Sequence, residues 1–174
     1  LDQAESAVLG LAVGGFGGAG IRLTGAGGSR VEGSYVGVGA DGATALANGL
    51  GIGVDGSPNH TVGGDEAGQG NVIAGNAGPG ILVTGPASTG IVLAGNRIGM
   101  NAAGTAAVPN EAEGVRIERA PGVRGGGSDE AARNLIGGNA THGVYVVGAE
   151  ADGVQVLGNW SGVGADGSMA LPNG

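Results

Sequence analysis

Chemistry in this chain has few carriers: the 174 residues include two histidines, one tryptophan, two tyrosines, no cysteine and no lysine. The carboxylates are the most suggestive of them. Asp65-Glu66 and Asp129-Glu130 are adjacent pairs in matching Gly-rich settings. Paired carboxylates serve glycoside hydrolysis, and clustered ones suit Ca²⁺. Neither pair belongs to an Asp-x-Asp-x-Asp-Gly run, so the expectation is a solvated loop turn, with Ca²⁺ the sharper alternative. Asp41-Gly42 and Asp166-Gly167 read as Asx turns. A middle copy of that loop has Ala103 in the Asp position, which argues against a metal site needing every copy. His60 and His142 fall at turns without a nucleophile or ligand spacing, and both are expected on the surface. Phosphate loops, Gly-x-Ser-x-Gly elbows and zinc motifs do not occur.

The elements that must position these groups are repeats. Asn71 to Asn76 (NVIAGN) returns as Asn134 to Asn139 (NLIGGN), and Gly95 to Gly104 returns as Gly158 to Gly167. A Gly-apolar-x-apolar register recurs at Gly20, Gly51, Gly80, Gly114 and Gly143, with spacings of 31, 29, 34 and 29 residues. The extra residues alternate in position. They precede a Gly-Asn step in the units starting at Gly51 and Gly114, and follow it in those starting at Gly20, Gly80 and Gly143. Without them each unit is about 20 residues, one turn of a solenoid. The 44 glycines and short alternating Val/Ile/Leu runs fit strands with tight corners rather than helices.

In stacked coils, equal positions form columns. Asn76, Asn96, Asn139 and Asn159 are expected to form one corner ladder, broken toward the N-terminus by Ser34 and Phe16. The next position gives a column of Tyr35, Ala77, Arg97, Ala140 and Trp160. If it points outward, Tyr35, Arg97 and Trp160 form a ledge nearly 20 Å long by the strand spacing. Aromatic faces and a guanidinium suit sugar rings and their hydroxyls or carboxylates, which makes these three the candidate carbohydrate-binding residues. A second outward column contains Arg22, Gly53, Leu82, Arg116 and Tyr145.

The Gly-Ile-x-Val strands, the Gly-Asn corner, the Asn96-Arg97-Ile98-Gly99 step and the Leu171-Pro172-Asn173 exit resemble the right-handed parallel β-helix repeats of the pectate-lyase-like superfold. More narrowly, they resemble the Gly/Asn-rich variety found in large bacterial surface and secreted proteins. The resemblance implies an all-β solenoid of about six coils with loops inserted in alternating coils. It makes residues 1–174 one repeat domain, expected to be a segment of a longer array. This superfold hosts polysaccharide lyases, hydrolases, adhesins and stalks. Its lyases use an Arg or Lys base near Ca²⁺-binding Asp residues, and neither Arg22 nor Arg116 has a matching acidic set.

The expected function is a non-catalytic extracellular or cell-surface module, a stalk, fibre or adhesin scaffold, stacking on neighbouring repeats or on itself. The alternative is a carbohydrate-binding or polysaccharide-processing protein. A net charge of −8 disfavours nucleic acid and anionic membranes as partners. No apolar run is long enough to span a bilayer, and Leu1 to Val13 lacks the charged start of a signal peptide, so a mature form or an excerpt is expected.

Overall fold

A computed structural model describes all residues from Leu1 to Gly174. The chain is all-β apart from one short 3₁₀ turn, Glu130–Ala132, and it winds through three parallel sheets. The first sheet stacks Ala7–Leu9, Arg30–Glu32, Thr61–Gly63, Val92–Ala94, Arg124–Gly126 and Gln155–Leu157. The second stacks Ala12–Val13, Tyr35–Val36, Val72–Ile73, Arg97–Ile98, Leu135–Ile136 and Trp160–Ser161. The third stacks Ala19–Leu23, Leu50–Asp55, Ile81–Thr84, Val115–Glu118 and Val144–Val147. One strand from each sheet in turn makes a coil; five such coils follow one another, and a sixth has strands of the first two sheets. The fold is a parallel β-helix.

Register follows from the period-two pattern. Ile52 pairs with Ile81, Ile81 with Val115, and Val115 with Val144, so one inward position repeats through the third sheet. Val36, Ile73, Ile98 and Ile136 do the same in the second. Eighteen buried residues from the three walls meet in one core. Leu82, between buried Ile81 and Val83, points outward and is half-buried. Alternation is what allows a chain with one Phe and 44 glycines to build a dry interior.

The corners are held by asparagine, and they form two ladders where the sequence suggests one. The first runs Asn48, Asn76, Asn110, Asn139, Asn173, with each Nδ2 donating to the next Oδ1 at 2.8–3.0 Å. The second runs Asn71, Asn96, Asn134, Asn159, each step 2.9 Å, and Ser34 donates its backbone N–H to Asn71 Oδ1 at its head. Asn76 and Asn96 therefore belong to different corners, as do Phe16 and Ser34. Each amide also reaches back to a carbonyl of the preceding coil, as Asn96 does to Val62 at 2.9 Å and Asn134 to Leu93 at 2.8 Å. Both Nδ2 hydrogens of each rung before the last are thus used, and each Oδ1 accepts at least one bond. Gly99 shows why glycine precedes the ladder: its φ is +82°, and a Cβ there would collide with Asn139 Oδ1.

Loops alternate as the spacing predicts. Long loops join the first and second sheets in coils three and five, and follow the second-sheet strand in coils two, four and six. The latter are small hairpins, closed by antiparallel bridges Val38↔Ala45, Met100↔Ala107 and Val163↔Ala170. They stack on one another across the intervening coil, through Ala102 N–H to Gly42 O at 2.8 Å and Ala165 N–H to Gly104 O at 2.9 Å.

Asp41 turns its hairpin by accepting from Ala43 and Thr44 N–H at 3.0 and 2.9 Å. The Thr44 hydroxyl and these amides lower its pKa to about 2. Asp166 does the same with Ser168 and Met169, whose N–H groups hold its carboxyl below the usual value, Met169 foremost. In the middle hairpin, where Ala103 stands, Asn101 accepts from Thr105 and Ala106 at 2.9 and 3.2 Å. The same two amides are satisfied from two residues upstream.

Candidate functional site: a groove on the second sheet

The outward column of the second sheet is Ala12, Tyr35, Val72, Arg97, Leu135 and Trp160, fixed by direct strand pairing. Tyr35, Arg97 and Trp160 do share it, two coils apart in each case, about 10 Å by the strand spacing. Ala77 and Ala140 do not; they are exposed beyond the first Asn ladder, and Val72 and Leu135 take their places. The misassignment follows from merging the two corners.

The three sequence-predicted residues have different surroundings. Tyr35 packs beside Val38, Val72 and Ala74 beneath the hairpin of coil two, so its ring is part of a small satellite core. Arg97 and Trp160 line a groove of about 410 Å³. Its floor is Arg97, Leu135 and Trp160; its walls come from the loops around Glu66 to Gly70 and Glu130 to Arg133, with Ala165 of the last hairpin at the rim. The alternating loops create this groove, because coils four and six are bare where coils three and five carry their insertions.

Electrostatics inside the groove are uneven. Arg133, absent from the sequence-based set, lays its guanidinium 4.1 Å from the centre of the Trp160 ring. Its Nε donates to Gly158 O at 3.0 Å and its Nη1 is 3.5 Å from Glu130 Oε1. Arg133 is pinned at three points. Arg97 is the opposite: its Nε is buried with no hydrogen-bond partner, and none of the chain's ion pairs involves it. Of the carboxylates singled out by sequence, Glu66 and Glu130 line the groove, whereas Asp65 and Asp129 are exposed loop residues outside its lining. No three His, Asp or Glu side chains come together in a metal-sized cluster.

The other outward column is confirmed by pairing of Arg22, Gly53, Leu82, Arg116 and Tyr145. Arg116 is engaged by Glu113 at 3.3 Å and Glu118 at 3.1 Å, and Arg22 by Asp55 at 2.5 Å. His142 is exposed and stacks on Tyr145 at 4.9 Å.

His60 is a correction, since it is fully buried rather than on the surface. It occupies the inward position that Ile91 and Val123 fill in the next coils. Its Nδ1 accepts the Ser29 N–H at 3.1 Å and its Nε2 lies 2.8 Å from Ser57 Oγ. The signal was its place in the unit, one residue before the Thr61–Gly63 strand, where the repeat calls for an apolar residue.

The fold and the groove define the class: a parallel β-helical solenoid carrying a loop-framed, mixed-charge groove on one wall. Compared with protein-family models, curated proteins and solved structures, the chain matches none of them.

Proposed function

We propose that this chain is a rigid, non-catalytic β-helical scaffold module of an extracellular or cell-surface bacterial protein, serving as a stalk, fibre or adhesin body. The observation that carries this reading is continuity. Three parallel ladders and two asparagine ladders run through the coils without a break that would act as a hinge. Each coil contacts chiefly its neighbours, so bending the rod means breaking main-chain and amide hydrogen bonds together. The resemblance of the Gly-Ile-x-Val strands and Gly-Asn corners to Gly/Asn-rich repeats of large bacterial surface and secreted proteins supports the location. Growth by coil stacking on neighbouring repeats suits the end coils, where Val156 is 48% and Leu9 50% exposed.

Hydrogen exchange on the isolated chain tests the mechanical part. Ladder amides of all three sheets should exchange slowly and as one block. Rapid exchange confined to one sheet would mean a hinged body and would remove the scaffold reading. Antibody labelling of intact producing cells tests location, with labelling only after lysis as the opposing result.

A further inference from the structure

We propose that the groove floored by Arg97, Leu135 and Trp160 is a binding site for a saccharide unit bearing a carboxylate, with Arg97 as the carboxylate contact. The first argument is the state of Arg97. The chain holds 15 acidic residues against seven arginines, and Arg22, Arg30, Arg116, Arg119 and Arg133 all have carboxylate partners. Arg124 has none but is exposed. Arg97 alone is half-buried, unpaired and left with a buried orphan donor. A guanidinium whose Nε is cut off from water and given no partner carries a cost, and an anion in the groove that accepts from this guanidinium offsets it.

The second argument is the donor and acceptor set. Glu66 and Glu130 only accept hydrogen bonds, while Arg97 and Arg133 only donate them. A ligand serving both needs one anionic acceptor and several neutral donors. Sulfate would set two negative charges against two glutamates and offer them no hydrogen, and phosphate at neutral pH offers one or two hydrogens but no apolar face. A sugar acid offers a carboxylate, hydroxyls for the glutamates, and a C–H face for Ala67, Ala131 and Leu135. At about 410 Å³ the groove takes one or two rings. Trp160, with Arg133 over its ring, acts mainly by positioning that guanidinium. The site does not depend on the scaffold role and can fail without it.

Trp160 is the only tryptophan, so its fluorescence reports directly from the groove. Titration with a hexuronate disaccharide should change Trp160 emission, with the neutral hexose disaccharide at least tenfold weaker. Arg97→Gln should weaken the acidic sugar tenfold or more and Arg97→Lys by less, whereas Arg124→Gln, the same charge change elsewhere, should stay within twofold. Equal response to both sugars, no response to either at millimolar concentration, or preference for an Asp/Glu-rich peptide or for sulfate overturns the proposal. So does an Arg97→Gln protein, folded by circular dichroism, that binds like wild type. If that variant does not fold, discrimination between the two sugars by the wild type decides.

Discussion

At the scale of the residue, His60 shows how a polar group survives inside an apolar column. Ser57 Oγ donates to Gly25 O at 3.0 Å, so the Nε2 beside it carries the proton and donates to that oxygen. Nδ1 must then keep its lone pair for the Ser29 N–H. Protonation would set two N–H donors head to head in a fully buried site. Burial is the main cause lowering the His60 pKa from 6.5. With a lowered pKa the unfolded chain takes up the proton first. Stability is therefore complete above about pH 6.5, falls as pH drops through that value toward the folded pKa, and levels below it. The urea midpoint should decline between pH 7.5 and 5.5 in wild type, and His60→Val should flatten that decline. Equal slopes in both proteins would exclude His60 as the cause.

Gly125 is a second residue at odds with its column, because it faces inward between Leu93 and Val156 and leaves a small void. A Cβ there meets nothing nearer than Gln155 O at 3.8 Å, and the backbone has no positive φ. Gly125→Ala should stabilise the chain by about 1 kcal/mol, from reduced unfolded-state entropy and a buried methyl. Thermal melting would show the midpoint rising; a fall would mean that the neighbours cannot accept a methyl.

At the scale of the element, the asparagine ladders bind coils that differ in length. Replacing Asn110 with Ala takes the acceptor from Asn76 Nδ2 and N–H, at 2.8 and 3.2 Å, and the donor from Asn139 Oδ1, at 2.9 Å. Orphaned buried groups cost about 1–3 kcal/mol each, so the variant should lose about 2–4 kcal/mol in urea unfolding. A loss near that of exposed Gln155→Ala would show that the ladder contributes little. Much of this element was legible from the repeat: the solenoid, the inward columns, the alternating loops and the shared column of Tyr35, Arg97 and Trp160. The second ladder was not, because every short corner that carries Asn spells Gly-Asn whereas only one long loop does, at Gly70-Asn71. The other long loops return through Ala47-Asn48, Pro109-Asn110, Arg133-Asn134 and Pro172-Asn173. The available signal was that every long loop ends on Asn. Arg133 was hidden for a related reason, since it lies in an insertion with no counterpart in the adjacent coil. Its contact with Trp160 exists only because a loop of coil five folds over coil six.

At the scale of the whole molecule, the ladders have a direction that constrains what can stack on each end. Every rung donates its Nδ2 toward the next coil and accepts from the previous one. The last coil therefore presents Asn159 and Asn173, with Asn159 Nδ2 tied back to Gly125 O at 2.8 Å and Asn173 Nδ2 to Ile136 O at 3.1 Å and Ser161 Oγ at 3.2 Å. Neither has an asparagine ahead of it. In the first coil the two corner positions are Leu11 and Phe16, whose N–H groups donate to Ser34 Oγ and Asn48 Oδ1 at 3.2 Å each. Their side chains are 52% and 55% exposed and carry no acceptor. A copy stacked head to tail would set the amides of Asn159 and Asn173 against hydrocarbon, and would forfeit two amide rungs while gaining main-chain pairing on the last strands of the first and second sheets. Wild-type chains should thus associate weakly end to end. The Leu11→Asn, Phe16→Asn pair supplies the missing acceptors in register, and it should shift light scattering toward rods at concentrations where wild type stays small. If the double variant scatters no more than wild type while remaining folded, the ladders do not set the polarity of stacking. If wild type forms rods equally well, apolar burial by Leu9, Leu11 and Phe16 outweighs the lost rungs, and the ends are joined by side-chain packing instead.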